Sequence, residues 1–161
     1  MKKKAMIFGS ALMVMVATTA GAQESDFKRY VGVNAGASKM EFGSHSMGSD
    51  TSLGFYFGLL ASNSHEVRFG YNQLGKFKGS DTSSVSADIL FKHPVVEQGE
   101  VYGGLGLGTL KFETTQTYRT YNGQTYTSKD TANEFSYRAS IGYRHHFGRF
   151  SVQGEGQYIG G

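Results

Sequence analysis

From Gln23 onward the chain alternates between apolar side chains and polar or small ones, and this period of two restricts it to β-structure. Leu53, Phe55, Phe57 and Leu59 are separated by Gly54, Tyr56 and Gly58. Val67, Phe69 and Tyr71 alternate with Glu66, Arg68, Gly70 and Asn72. Val85, Ala87, Ile89 and Phe91 alternate with Ser86, Asp88, Leu90 and Lys92. The longest run sets Phe135, Tyr137, Ala139, Ile141 and Tyr143 against Ser136, Arg138, Ser140, Gly142 and Arg144. Phe150, Val152 and Tyr158 continue the pattern against Ser151, Gln153, Glu155 and Gln157. No comparable helical spacing occurs after Gln23.

Alternation does not say which face points inward. In a soluble sandwich or lipocalin-like barrel the apolar face would fill the core. In an outer-membrane barrel it would face lipid, with the polar face lining a lumen. Three features favour the second arrangement. Gly32, Gly36, Gly54, Gly58, Gly104, Gly106 and Gly108 sit on the polar face, where they would weaken a solvent-exposed strand but relieve crowding in a narrow interior. Charges of both signs, Arg68, Asp88, Lys92, Arg138 and Glu155, recur on that face at mid-strand, as an enclosed ion-pair network requires. The apolar runs also reach the roughly ten residues that a tilted strand needs to cross a bilayer.

The first 22 residues have a different character. Lys2, Lys3 and Lys4 precede a mostly apolar stretch, Ala5 to Ala20, that ends in Ala20-Gly21-Ala22, the pattern of an export signal cleaved before Gln23. Removing residues 1–22 takes away three of the 16 basic residues and none of the 13 acidic ones, leaving 13 against 13. The pI near 9.0 therefore belongs to the signal, and a nucleic-acid partner loses its electrostatic basis. With no Cys, a disulfide framework and thiolate chemistry are excluded.

The connections alternate in length. Met40 to Thr51, Lys76 to Ser83 and Glu113 to Ala132 read as longer polar loops, the last folding back through Tyr121-Asn122-Gly123-Gln124, a strong hairpin signal. Ser62-Asn63-Ser64, Pro94 to Glu100 and His146-Phe147-Gly148-Arg149 read as tight or compact turns. Long extracellular loops opposite short periplasmic turns characterise up-and-down outer-membrane barrels. Seven strands are readable: Arg29–Lys39, Ser52–Ala61, Glu66–Phe77, Ser84–His93, Val101–Phe112, Asn133–Phe147 and Arg149–Ile159. The fold class is all-β, an up-and-down antiparallel transmembrane β-barrel of the eight-stranded type. Residues 23–161 form one domain. Because bacterial barrels of one chain have even strand numbers, the expectation is that an eighth strand is missing and the domain is C-terminally incomplete.

These residues resemble the OmpA-type (outer-membrane protein A-like) small barrels. Gly70-Tyr71-Asn72-Gln73-Leu74-Gly75-Lys76-Phe77 resembles that family's third-strand segment, and Tyr30-Val31-Gly32-Val33-Asn34-Ala35-Gly36 its first strand. Pro94 through Tyr102-Gly103-Gly104-Leu105-Gly106 resembles its second turn and fifth strand, and Glu155-Gly156-Gln157-Tyr158 its penultimate strand. The resemblance spans about 29–159. It implies a porin-family outer-membrane protein of a Gram-negative bacterium, handled by the barrel assembly machinery and surrounded by outer-membrane lipids and lipopolysaccharide. The chain also departs from the family. The position of a lumenal acid on the third strand is Arg68, and that of its basic partner is Leu90, so the family's ion-pair gate does not carry over in that wiring. The ending Ile159-Gly160-Gly161 lacks the closing aromatic.

Other chemistry is thin. His145 and His146 are adjacent on a strand and point to opposite faces, so they cannot share a metal ion. Asp88 and Glu155 could form a carboxylate dyad, but Arg and Lys on the same face make them structural ions. Gly103-Gly104-Leu105-Gly106-Leu107-Gly108 lies inside a strand pattern and does not fit a phosphate loop. No cofactor, metal or catalytic residue is expected. With no Trp, the lipid-facing aromatics expected at the interfaces are Phe55, Phe57, Phe69, Tyr71, Phe91, Phe135, Tyr137, Tyr143, Phe150 and Tyr158. The expected role is structural and surface-interacting, with extracellular loops meeting host or phage ligands and a narrow polar lumen that is no general pore. The alternatives are a narrow ion- or solute-conducting channel along Arg68, Asp88 and Lys92, and a lipid-modifying enzyme.

Overall fold

The computed structural model describes residues 5–18, 28–42, 44–148 and 150–161, with side chains in the first segment described only at Ile7. Eight strands follow one another in chain order: β1 (Ala5–Thr18), β2 (Lys28–Phe42), β3 (His45–Leu60), β4 (His65–Phe77), β5 (Ser80–Val96), β6 (Gly99–Arg119), β7 (Thr125–Phe147) and β8 (Phe150–Gly160). Each pairs antiparallel with its neighbours, and β1 pairs with both β2 and β8, closing the barrel. Closure leaves no strand edge with unpaired backbone groups, the property that lets such a sheet exist in hydrocarbon.

β2 to β8 are the seven strands legible from alternation. β1 is the addition, and it comes from residues that the sequence reads as the export signal. It carries no charged residue and no apolar–polar alternation (AMIFGSALMVMVAT). In register, Ala11 stands opposite both Gly36 and Glu155. The lysines at the start of the signal, the Ala20-Gly21-Ala22 box, Gln23 and Arg149 lie outside the described residues.

The strands run further than the alternation indicates. β6 and β7 stay paired from Gly99↔His145 to Arg119↔Thr125, so most of Glu113–Ala132 is a two-stranded arm rather than a loop. The reason is local: this stretch is rich in Thr and Tyr, residues favoured on pleated surfaces, and its only reversal needs Gly123 at φ +77°. The segment Met40–Thr51 is likewise mostly ladder, with a register shift at Met40/Glu41. At the opposite end the connections are short, at residues 61–64, 97–98 and 148–149.

One irregularity repositions a side chain. The β4–β5 register slips between Gln73 and Gly75, where Gly75 has φ +107°. A bulge flips the facing pattern beyond it. Asn72 and Leu74 point inward before the slip, and Phe77 is buried after it while Lys76 is exposed. The inward-facing glycines then admit large rings. A Cβ at Gly32 would overlap the Tyr56 ring, one at Gly58 the Tyr30 ring and one at Gly142 the Tyr102 ring.

Candidate functional site: an ion-paired lumen

The inward positions of β4 to β8 carry eight buried charged residues. Arg68, Lys92, Arg138 and Arg144 are the four cations; Glu66, Asp88, Glu100 and Glu155 are the four anions. Four against four leaves this interior electrically neutral, as burial demands, since an isolated charge in a low-dielectric interior is prohibitively costly.

The charges fall into two layers. In the middle layer Arg68 faces Glu155 with both terminal nitrogens, at 2.7 and 2.9 Å, a two-pronged contact that fixes guanidinium and carboxylate in one plane. Tyr102 donates its hydroxyl to the same carboxylate at 2.6 Å, and Gln157 donates to it as well. Asp88 lies 3.7 Å from Arg68 and 3.8 Å from Arg138. Arg138 donates to Ser86 and Gln157, and Ser86 donates to Asp88 at 3.2 Å. Cross-strand register sets this up, because Arg68↔Asp88↔Gly106↔Arg138 places the three charges on neighbouring strands at one height. Gly106 leaves the space that Asp88 occupies.

The second layer lies nearer the short turns, and Arg144 is its hub. It donates to Glu66 at 2.8 and 3.1 Å, to Glu100 at 3.0 Å and to Gln153 at 2.8 Å. Its guanidinium also sits 5.5 Å from the Tyr30 ring centre and 5.3 Å from that of Tyr102, within cation–π range. Lys92 lies 3.7 Å from Glu66 and 3.8 Å from Glu100. Tyr30 donates its hydroxyl to Glu66. His146 lies 3.4 Å from Glu100 and 2.9 Å from the Ser151 hydroxyl, at the mouth.

Of the five lumen charges expected from sequence, the structure brings Arg68, Asp88, Arg138 and Glu155 together and places Lys92 in the other layer. Sequence reasoning passed over Glu66, Glu100 and Arg144. The signal for two of them was present: Glu66 shares a face with Arg68, and Arg144 shares one with Arg138. They were missed because they lie near strand ends.

Toward the long-hairpin end the lumen changes character. Ile7, Met40, Leu74, Phe77, Leu110 and Ile159 form a buried apolar cluster, with Met47 and Phe112 packed on it. A wholly polar lumen was expected, and this layer corrects it. The bulge at Gly75 supplies part of the reason, because it turns Phe77 inward. Leu90, at the place of the family's basic partner, is fully buried beside Gly104.

Outside the barrel the pattern inverts. Phe55, Phe57, Phe69, Tyr71, Phe91, Phe135, Tyr137, Tyr143 and Phe150 are all exposed, from 39% at Phe57 to 68% at Phe135. Tyr158 is half-buried, stacked at 6.1 Å on Tyr137. Leu105, Leu107, Ile141, Val33 and Val85 widen this outward apolar belt. A closed sheet with ions inside and exposed aromatics outside is organised for a hydrocarbon surround. The family model of the outer membrane protein beta-barrel domain matches residues 8–160.

The chain belongs to the outer membrane protein beta-barrel family.

Its place is therefore the bacterial outer membrane. The β-barrel is also similar to solved structures of Ail, the attachment invasion locus protein of Yersinia pestis. One is of Ail alone, and the other is in complex with the heparin analogue sucrose octasulfate. Both share 16% identity and cover 100% of this chain and 98% of that chain, with TM-scores of 0.21 and 0.20. At those scores the likeness bears no functional argument. No curated protein matches the chain at a significant level.

Proposed function

We propose that this protein is a small, non-enzymatic outer-membrane barrel whose lumen is a structural plug and whose extracellular arm makes surface contacts. The observation that carries the reading is the packing of the interior. Between the middle-layer Arg68, Asp88 and Arg138 and the surrounding Asn34, Tyr56, Asn72 and Gln157 lies a cavity of only about 10 Å³, room for one water at most. The apolar layer lies beyond it. Eight-stranded barrels are in general just filled by their side chains, so diffusion of solutes through this one is not its task.

The β6–β7 arm is the natural contact surface. It projects beyond its neighbours, and Tyr118, Tyr121 and Tyr126 are 55%, 106% and 58% exposed. Tyr118 and Tyr126 stand opposite each other in register, an amphipathic aromatic pair of the kind enriched in recognition surfaces. Host or phage surface molecules are the partners this arm would meet, while lipopolysaccharide surrounds the wall and the barrel assembly machinery inserts it. β1 is drawn from residues 5–18, so the closed barrel retains them, and cleavage before Gln23 would open the wall between β2 and β8.

Planar-bilayer recording tests the lumen. The wild-type protein should show no steady conductance. A steady conductance altered by Arg68→Ala would instead establish the channel reading. Deleting residues 116–127 should leave the heat-dependent gel migration of a closed barrel intact and abolish cell-surface binding. Unchanged lipid A in a deletion strain is expected if no lipid-modifying activity exists. N-terminal sequencing of the outer-membrane form shows directly whether residues 1–22 are retained.

A further inference from the structure

Three imidazoles interrupt or end the outward apolar runs near the short turns. On β4 the outward series Tyr71, Phe69, Val67 ends in His65. On β5 the series Val85, Ala87, Ile89, Phe91 is followed by His93, with exposed Val95 beyond it. On β7 the series Phe135, Tyr137, Ala139, Ile141, Tyr143 is followed by His145. In each strand, histidine is the next outward residue after the belt, which puts it at the level where acyl chains give way to headgroups. His65 packs edge-on against Phe91 at 5.4 Å, and His145 lies tilted between Tyr143 at 6.3 Å and Phe147 at 4.6 Å.

Hydroxyl groups engage the Nδ1 side of two of these rings. Ser62 Oγ already accepts the backbone N–H groups of Ser64 and His65, at 3.2 and 3.0 Å. Ser62 Oγ also lies 3.1 Å from His65 Nδ1 and 3.3 Å from Ser64 Oγ, which is itself 2.9 Å from the same nitrogen. Tyr143 Oη lies 3.2 Å from Nδ1 of His145. A hydroxyl donating to Nδ1 leaves the ring proton of a neutral imidazole on Nε2. With such donation at His65 and His145, Nε2–H is each ring's one remaining donor. His93 is exposed on the intervening β5.

The two rims differ in how their basic residues are paired. At the extracellular rim the lysines are matched by carboxylates: Lys39 with Glu41 at 2.8 Å, Lys76 with Asp81 at 3.8 Å, and Lys111 with Glu113 at 2.6 Å. At the periplasmic rim no carboxylate among the described residues pairs with His65, His93 or His145, although exposed Glu97 offsets the charge of exposed Arg29. We propose that His65, His93 and His145 form a docking surface for the phosphate groups of phospholipid in the periplasmic leaflet, each imidazole donating Nε2–H to a phosphate oxygen. Donation to an ionised acceptor gives the stronger class of hydrogen bond. The collar would order headgroups against one side of the wall, over β4 to β7.

Solid-state NMR of the full chain in phosphatidylglycerol–phosphatidylethanolamine bilayers tests this. Imidazole ¹⁵Nε2 of His65 and His145 should show dipolar dephasing by lipid ³¹P, with Nε2 as the protonated nitrogen at neutral pH. No dephasing, or a proton on Nδ1, overturns the proposal. In a second measurement, native mass spectrometry follows lipids retained from a mixture of phosphatidylglycerol and a phosphate-free galactolipid. The H65F/H93F/H145F variant keeps the rings, and heat-dependent gel migration checks its fold. It should lose the several-fold preference for phosphatidylglycerol shown by the wild type. Equal preference in both proteins would refute the collar. Should the triple variant fail to assemble, the wild-type dephasing decides alone.

Discussion

The ionic layers and the apolar layer occupy the same lumen, yet they hold it shut by opposite physics. In the ionic layers every charge is buried and satisfied only by specific partners, so tolerance to change is low and the penalty for error is electrostatic. In the apolar layer Leu110, Phe77 and Ile159 contribute by burial alone, and neighbours can partly collapse into a lost volume. The comparison teaches that a barrel interior can be sealed twice, once by matched charge and once by exclusion of water. Substitutions in each layer should separate the two effects.

The largest effect belongs to the glycines that let the ionic layers form. A Cβ at Gly108 would overlap the Val85 carbonyl oxygen, which is backbone and cannot rotate aside. Gly108→Val should therefore abolish assembly, read as loss of the fast-migrating unboiled band. Next comes Arg144→Met, which leaves the buried Glu66 and Glu100 to share Lys92. Removing one partner of a buried pair costs about 3–5 kcal/mol, measured as a lowered urea midpoint for unfolding. The double change Arg144→Met with Glu66→Gln should recover part of that loss, because Lys92 still faces Glu100 at 3.8 Å. A double variant no better than the single one would show that the two layers are not governed by charge matching. Leu110→Ala follows, with about 2–5 kcal/mol for a large-to-small change in a packed core. It should depend little on the ionic layers, so combining it with Arg144→Met should give a nearly additive sum.

Much of this was legible in the sequence, because a barrel wall is a one-dimensional code. Alternation fixed which face of each strand is which, and the glycines on the charged face, such as Gly106 beside Asp88, showed which face was crowded. The layering was not legible. Whether Lys92 meets Asp88 or Glu66 depends on the stagger between strands, and a period-two pattern is silent on stagger. The apolar layer was hidden for a related reason: the slip at Gly75 changes the parity after it, so alternation alone does not turn Phe77 inward. The length of the β6–β7 arm escaped because Thr-rich polar segments read equally well as loops. β1 lay in a segment whose lysines and Ala-x-Ala ending pointed to export.

The smallest expected effect lies outside the bilayer, where the bulge that feeds the apolar layer is tied down. Asp50 on β3 accepts the backbone N–H of Lys76 at 2.7 Å and that of Thr51 at 2.7 Å. These bonds favour the ionised form, led by the one from Lys76, and hold its carboxyl below the ordinary value of 3.8. A depressed folded-state pKa means that the tether contributes above the ordinary value and is lost as pH falls through the lower, folded value. Acidification across that window should therefore shift the Lys76 amide resonance and loosen the β3–β4 register near Gly75, while the Leu110 methyl signals move little. Asp50→Asn should remove the acid transition of the Lys76 amide. If the Leu110 signals instead collapse with the Lys76 amide, the apolar layer depends on charge after all, and its contrast with the ionic layers fails.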